Sequence, residues 1–228
     1  EIDQSKFPPE AEPIEVSPSG SAEVEPAGSD PDPLKDGEVH QDGVATDDDG
    51  SIVDMLVVYT PAARIASSNI LGEIQLAIDE TNQAYINSGI SHRVRLVGTS
   101  EVSYTESGNF CGSLPSDLDR LRGTSDGFMD NVHGLRNSYG ADQVTLILNS
   151  GNACGCAYFM STVSTSFASN AFSVVRRDCA TGYFSFGHEL GHNMSAHHDC
   201  YVNTGTTPYA YNHGYVHLSS TPSQRWRT

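Results

Sequence analysis

Lysine is absent after residue 35. The 228-residue chain has two lysines, Lys6 and Lys35, and its other ten basic residues are arginines. No basic patch or stripe can be drawn along it, so nucleic acid is not an expected partner. No window of about 20 apolar residues occurs either, which excludes a transmembrane helix and with it an expected membrane partner. Cysteine is missing from the first 110 residues; the five present are Cys111, Cys154, Cys156, Cys179 and Cys200. None repeats a zinc-ribbon spacing, and no Gly-x-Ser-x-Gly nucleophile elbow exists. The cysteines therefore read as structural disulfides made in an oxidising compartment, at most two bridges with one thiol left over. A secreted, monomeric protein is the expectation. Residue 1 is Glu and no signal segment is visible; such a segment is expected to have been removed or to lie outside this chain.

Histidine is present and concentrated. Four of the nine histidines fall within residues 188 to 199, HELGHNMSAHHD. His188 and His192 are four apart, so on a helix they share one face a turn apart and can meet one metal ion. His198 follows six residues later, and Asp199 comes next. Glu189 adjoins the first histidine and can reach water near the metal without ligating it. Three nitrogens with a fourth position open is the arrangement of a catalytic zinc, so Zn2+ is the expected cofactor. Zinc acidifies a bound water and polarises a carbonyl, and Glu189 is the expected general base. The bland alternative, a chance H-E-x-x-H in a helix that binds nothing, loses ground to the third histidine and the clustering. His197 reads as a solvent-facing neighbour. His213 and His217 read as surface or core histidines. Tyr209, Tyr211 and Tyr215 are candidates to line a cleft. Gly191, between the helical ligands, suggests close packing of another strand. Asn193-Met194-Ser195 is formally a glycosylation sequon, expected to go unused in mid-helix.

Residues 1 to 50 and 51 to 228 differ in kind. The first stretch holds 15 acidic residues, two lysines and seven of the eleven prolines; the second holds 14 acidic residues and ten arginines. The first reads as an acidic, Pro-rich disordered tail, since it has too little apolar surface to offset ordering entropy. A solvated linker is the favoured reading. The other is a pro-segment-like tail that keeps the zinc site shut through a carboxylate or His40 of residues 35 to 42. With no cysteine there, a thiolate plug is excluded. Asp47 to Gly50 lacks the spaced ligands of a calcium loop.

The second stretch predicts alternating strands and helices. Ile52–Tyr59 and Gln143–Leu148 are short apolar runs suited to buried strands, and His92 to Thr105 alternates. Residues 68 to 88 show helical periodicity through Ile70, Ile74, Ala77 and Ile78, ended by Gly89. Residues 115 to 138 predict a helix broken at Gly123 and Gly127. Ala171 to Val175 predicts a further strand with a hairpin partner before it. This α/β alternation implies a largely parallel sheet.

HELGHNMSAHHD resembles the zinc motif of reprolysin-like (adamalysin-type) metzincin metalloproteases. It matches H-E-x-x-H-x-x-G-x-x-H at every fixed position but one, where Ser195 replaces glycine. The helix must end there to swing His198 back, and a serine in the left-handed conformation costs roughly 1–2 kcal/mol. The resemblance extends to residues 53 to 64, to Asn82-Gln-Ala-Tyr85, to Cys154-Gly-x-Ala-Tyr158 and to Tyr209-Ala-Tyr-x-His-Gly-Tyr215. Within the family these are most similar to secreted bacterial peptidyl-Asp metallopeptidases. It implies a metzincin-like catalytic domain: a mixed, mostly parallel five-stranded sheet, long helices, a zinc-binding active-site helix and a cleft beneath the edge strand. It implies zinc on His188, His192 and His198, Glu189 as base, and protein or peptide substrates. Two other readings stay open, a catalytically silent zinc-binding module and a zinc amidase on small molecules. Metzincins carry a methionine turn after the third histidine, yet no Met follows Met194. The expectation is a chain truncated before that turn. A Cys179–Cys200 bridge would staple the approach of the zinc helix to its exit.

Overall fold

Val, Ile and Leu fill Ile52–Tyr59, and alternate residues of the run serve opposite faces of a sheet. Met55 and Val57 join one apolar cluster; Leu56 and Val58 join the other. A strand covered on both faces belongs inside a parallel sheet flanked by helices. A computed structural model of the chain describes residues 11–16 and 50–221, and the backbone of 226–227. Its elements in chain order are β1 (Ile14–Glu15), β2 (Ile52–Tyr59), α1 (Pro61–Ala66), α2 (Ile70–Asn87) and β3 (Arg93–Glu101). Then come α3 (Asp117–Arg122), α4 (Asn131–Tyr139), β4 (Gln143–Leu148), β5 (Gly155–Phe159) and β6 (Phe172–Arg176). The last are α5 (Arg177–Ala180), α6 (Ser185–Asn193), β7 (Val216–His217) and β8 (Trp226–Arg227).

The main sheet runs β1-β5-β6-β4-β2-β3. β2 pairs in parallel with β3 and β4, and β4 with β6, while β5 is antiparallel to β6. Five strands come from residues 52 to 176, as expected of the α/β, metzincin-like class. The sixth, β1, comes from the acidic N-terminal stretch and adds in parallel to the outer edge of β5. Within that stretch Ile14 and Glu15 pair with β5, and Ala11, Ile14 and Val16 pack against the core. Residues 35 to 42, whose carboxylates or His40 the alternative reading placed on the zinc, lie outside the described residues.

α2 and α6 cover one face of the sheet. Ile70, Ile74, Ala77 and Ile78 of α2 pack with Phe186 and Leu190 of α6. The other face carries Leu118 and Leu121 of α3 and Val132 of α4. The broken helix is as expected: α3 ends at Gly123, and Gly127 takes φ +84 in the connection. α2, at 18 residues, is the one long helix among the described residues, where several long helices were expected. No described helix is long and apolar enough to cross a membrane.

Two disulfides join Cys111 to Cys156 and Cys154 to Cys179. Cys200 is exposed and free, so the expected Cys179–Cys200 staple is not made. Cys179 opens instead toward β5, because Arg176 N–H binds the Cys154 carbonyl at 2.7 Å and brings the two chains together.

Candidate metal centre

The zinc-motif helix, α6, begins where Phe184 takes φ +66, a left-handed bend that turns the chain into the helix. Its apolar side is pressed onto α2 at Gly187, where a Cβ would lie 3.0 Å from Thr81 Oγ1. Asn193 clamps the other end beneath the sheet, its Nδ2 donating to the carbonyls of Tyr158 at 2.7 Å and Phe172 at 3.3 Å. Asn193 is buried, so the sequon is closed to glycosylation.

With the helix fixed at both ends, His188 and His192 project from one face and meet His198. Nε2 of His188 lies 3.0 Å from Nε2 of His192 and 3.0 Å from Nε2 of His198. The three ligand atoms all lie within 4.8 Å of one another. A tetrahedral zinc, at about 2.0–2.1 Å from each nitrogen, separates its ligand nitrogens by about 3.4 Å, so the cage suits that ion. Nδ1–H of His192 donates to the Ala196 carbonyl at 2.7 Å. That bond leaves Nε2 with the free lone pair and fixes the ring. Burial pushes His188 down to about 4 and His192 down to about 3, with the neighbouring imidazoles adding to the effect. Both rings are neutral at pH 7, the form that binds metal. Three convergent imidazoles fit zinc.

Glu189 is fully buried at the same level of the helix. A Cβ on Gly155 would stand 2.4 Å from Glu189 Oε1. Glycine at the start of β5 is therefore what makes room for this carboxylate. Nothing in the sequence reading singled out Gly155, because the requirement comes from a residue 34 positions away in the chain.

The return loop that delivers His198 uses the strained serine as expected. Ser195 has φ +72. Its Oγ donates to the Met160 carbonyl at 2.7 Å, and its carbonyl accepts from Asn212 Nδ2. The strain is thus held by protein hydrogen bonds in addition to whatever a metal adds. Gly191 does not meet another strand. Its nearest neighbour beyond the helix is the Ala196 side chain, 3.5 Å from where a Cβ would be, and its carbonyl accepts from Ala196 N–H at 2.9 Å.

His197 is buried, contrary to its solvent-facing reading. It stacks on Phe159 at 4.0 Å and on His213 at 5.2 Å, with Nε2 2.8 Å from the Thr207 carbonyl. It is a core histidine that secures the loop, and β5 supplies the aromatic surface beneath it. His213 holds the ligand segment itself, with Nδ1 2.9 Å from the His198 carbonyl and Nε2 2.8 Å from that of Gly205. His217 lies on β7. Asp199 is buried and receives the Tyr201 N–H at 2.9 Å, closing the turn after His198. Tyr209 and Tyr211 stack at 5.2 Å on the surface, and Tyr215 is exposed.

A helix beneath a mixed sheet, presenting three imidazoles to one point with a buried carboxylate beside them, defines a mononuclear metal centre. Comparison with known proteins places it more closely. The family model for metallo-peptidase family M12 matches residues 49–228. The peptidyl-Asp metalloendopeptidase of Stenotrophomonas maltophilia (strain R551-3) is 46% identical over 175 residues, 76% of this chain and 40% of that protein. The peptidyl-Asp metalloendopeptidase of Xanthomonas campestris pv. campestris is 44% identical over 176 residues, 76% of this chain and 39% of that protein. A solved chain in a chaperone–substrate complex shares the fold with a TM-score of 0.52 at 23% identity, covering 73% of this chain and 26% of that one. The chain belongs to metallo-peptidase family M12. It spans about 40% of the length of the first of these curated relatives. Members of this family use zinc.

Proposed function

We propose that this chain is the catalytic part of a secreted zinc endopeptidase acting on proteins or peptides. His188, His192 and His198 hold the zinc, and Glu189 is the general base. Residues 51 to 228 form the peptidase unit, and residues 1 to 50 are an acidic, Pro-rich segment attached to it. The observation that carries this reading is the convergence of three imidazoles beside the buried Glu189, under β5. Zinc, when bound, supplies a Lewis acid that polarises the scissile carbonyl and acidifies water. Glu189 takes a proton from water and delivers it to the leaving amine nitrogen. His192, locked by Ala196, and His198, held through its backbone by His213, stay in place during the reaction. Burial around Glu189 keeps bulk water from competing. Secretion accords with the two disulfides.

The test is casein hydrolysis by the zinc-loaded protein, with and without a chelator, beside Glu189→Ala. Hydrolysis should vanish with chelator and fall about 10²–10⁴-fold in the variant. A zinc-loaded wild type that leaves casein intact sinks the endopeptidase reading, and a fully active Glu189→Ala sinks the mechanism. The relatives' names point to bonds beside aspartate. Two peptides differing by Asp against Asn at that position test it, and equal rates remove that specificity.

A further inference from the structure

Gly155 stands between two cysteines, and each closes a different disulfide. Cys154 joins Cys179, and Cys156 joins Cys111. Gly155 is also the residue whose Cβ would stand 2.4 Å from Glu189 Oε1 and 2.7 Å from the carboxyl carbon. The clearance there is smaller than a methyl group. The place of this backbone therefore sets the place of the carboxylate.

Both flanks of Gly155 are tied to other parts of the fold. On the Cys154 side, Arg176 N–H donates to the Cys154 carbonyl at 2.7 Å, and Gly155 pairs with Val175 of β6. Cys179 lies in α5, a segment fastened to α2. Arg177 Nη1 lies 3.2 Å from both carboxylate oxygens of Glu73, and Gly182 N–H donates to Glu80 Oε2 at 2.8 Å. α6 leans on the same helix, where Gly187 meets Thr81. The wall over Glu189 and the helix that carries Glu189 thus share one frame. On the other side, Cys156 packs in the cluster of Leu118 and Leu121 of α3, across the sheet from α6. Phe110, beside Cys111, has its N–H on Asn152 Oδ1 at 2.9 Å, and its ring fills the space over Gly151. Cys154, Cys156 and Cys179 are fully buried.

A strand held by hydrogen bonds and packing can open locally without global unfolding. Covalent links one residue before and one residue after Gly155 restrict that freedom where Glu189 needs it least. A displacement of about 1 Å can cost on the order of 10²-fold in rate.

We propose that Cys154 and Cys156 are positioning residues for the reaction, whose disulfides hold Gly155 over Glu189 so that the carboxylate keeps one location. The rate effect rests on the reading of Glu189 as general base; the hold on Gly155 does not.

The experiment uses the full, zinc-loaded chain at a temperature where every variant is folded. One disulfide is removed by Cys154→Ser with Cys179→Ser, the other by Cys111→Ser with Cys156→Ser, so a pair that fails to fold leaves the second to decide. The substrate is a quenched fluorescent peptide containing aspartate. In a folded variant kcat should fall roughly tenfold or more, with bound zinc unchanged and KM within about twofold. In a Glu189→Ala background the same replacements should leave the residual rate within about twofold, because the hold acts through that carboxylate. Amide exchange over residues 153 to 157 should quicken while β4, Gln143–Leu148, stays protected. A fall of equal size in both backgrounds marks a general structural loss and overturns the proposal. So do an unchanged kcat, lost zinc, or unchanged exchange at 153 to 157. A zinc-loaded wild type that cuts no peptide sinks the peptidase reading and the rate effect with it, whereas the exchange comparison still decides whether the disulfides hold Gly155.

Discussion

Gly155 and Glu189 are a matched pair of residues, one with no side chain so that the other can keep its own buried. Adding a methyl at 155 puts an atom 2.4 Å from the Glu189 carboxylate oxygen. Displacing a catalytic group by about 1 Å can cost on the order of 10²-fold in rate. Gly155→Ala is therefore expected to keep its zinc and its fold and to lose activity on that scale, read as kcat beside bound-metal content. A variant with wild-type kcat removes the positional role of Gly155. Two tyrosines make a separate statement about pH. Burial raises Tyr85 to about 12, and burial with the hydrogen bond to Asp117 raises Tyr104 to about 12. An unfolded tyrosine titrates near 10. Above about pH 10 the unfolded chain therefore sheds protons that the folded chain retains, so stability is full below that pH and falls toward pH 12. Tyr85→Phe deletes one such group, and its stability relative to wild type should improve as pH rises from 9 to 11. Urea unfolding across that window checks it, and a constant difference refutes it.

At the scale of elements, the centre depends on α6 being fastened to β5 and β6. Asn193 makes that fastening with two carbonyls, both inside the protein. Asn193→Ala leaves buried carbonyls unmatched and should lower stability by about 1–3 kcal/mol, measured as a lower urea midpoint. An unaltered midpoint shows the clamp to be dispensable. β5 is where reading from sequence had least to work with. Gly155 to Phe159 offers five residues with Gly and Cys at its start, too short to show a period. β2 and β4 were legible to the residue, since each is a short run dominated by apolar and β-branched residues of the kind a doubly covered strand accommodates. α1 went unforeseen because Thr60-Pro61 signals equally the end of a strand and the start of a helix, and here Thr60 caps Ala63 N–H. His197 was misjudged for a related reason. Helical spacing separates ligands from neighbours, but Phe159, which stacks on His197, arrives from another element.

For the whole molecule, two disulfides tie the sheet to its margins. Cys154–Cys179 closes a loop of 25 residues between the start of β5 and the approach to α6. A loop of that length corresponds to about 3–4 kcal/mol of lost unfolded-state entropy. Replacing Cys154 and Cys179 together with serine should lower stability by about that amount, seen as a fall in Tm. An unchanged Tm rules out that contribution. The same region joins the chemistry to the N-terminal strand, because β5 touches α6 below, β6 on one edge and residues 11–16 on the other.

The sequence by itself determined the metal chemistry, the two central strands and α2. It also determined the strained turn at Ser195. Those properties rest on residues a few positions apart, where helical and strand periods and ligand spacing act directly. Tertiary structure decided which cysteines pair, that Gly155 must be glycine, that His197 is buried, and that residues 11–16 sit on β5. Each of these joins positions tens to more than a hundred residues apart, and their meeting depends on how the sheet orders its strands. Local pattern does not encode that order; packing both faces of the sheet at once does.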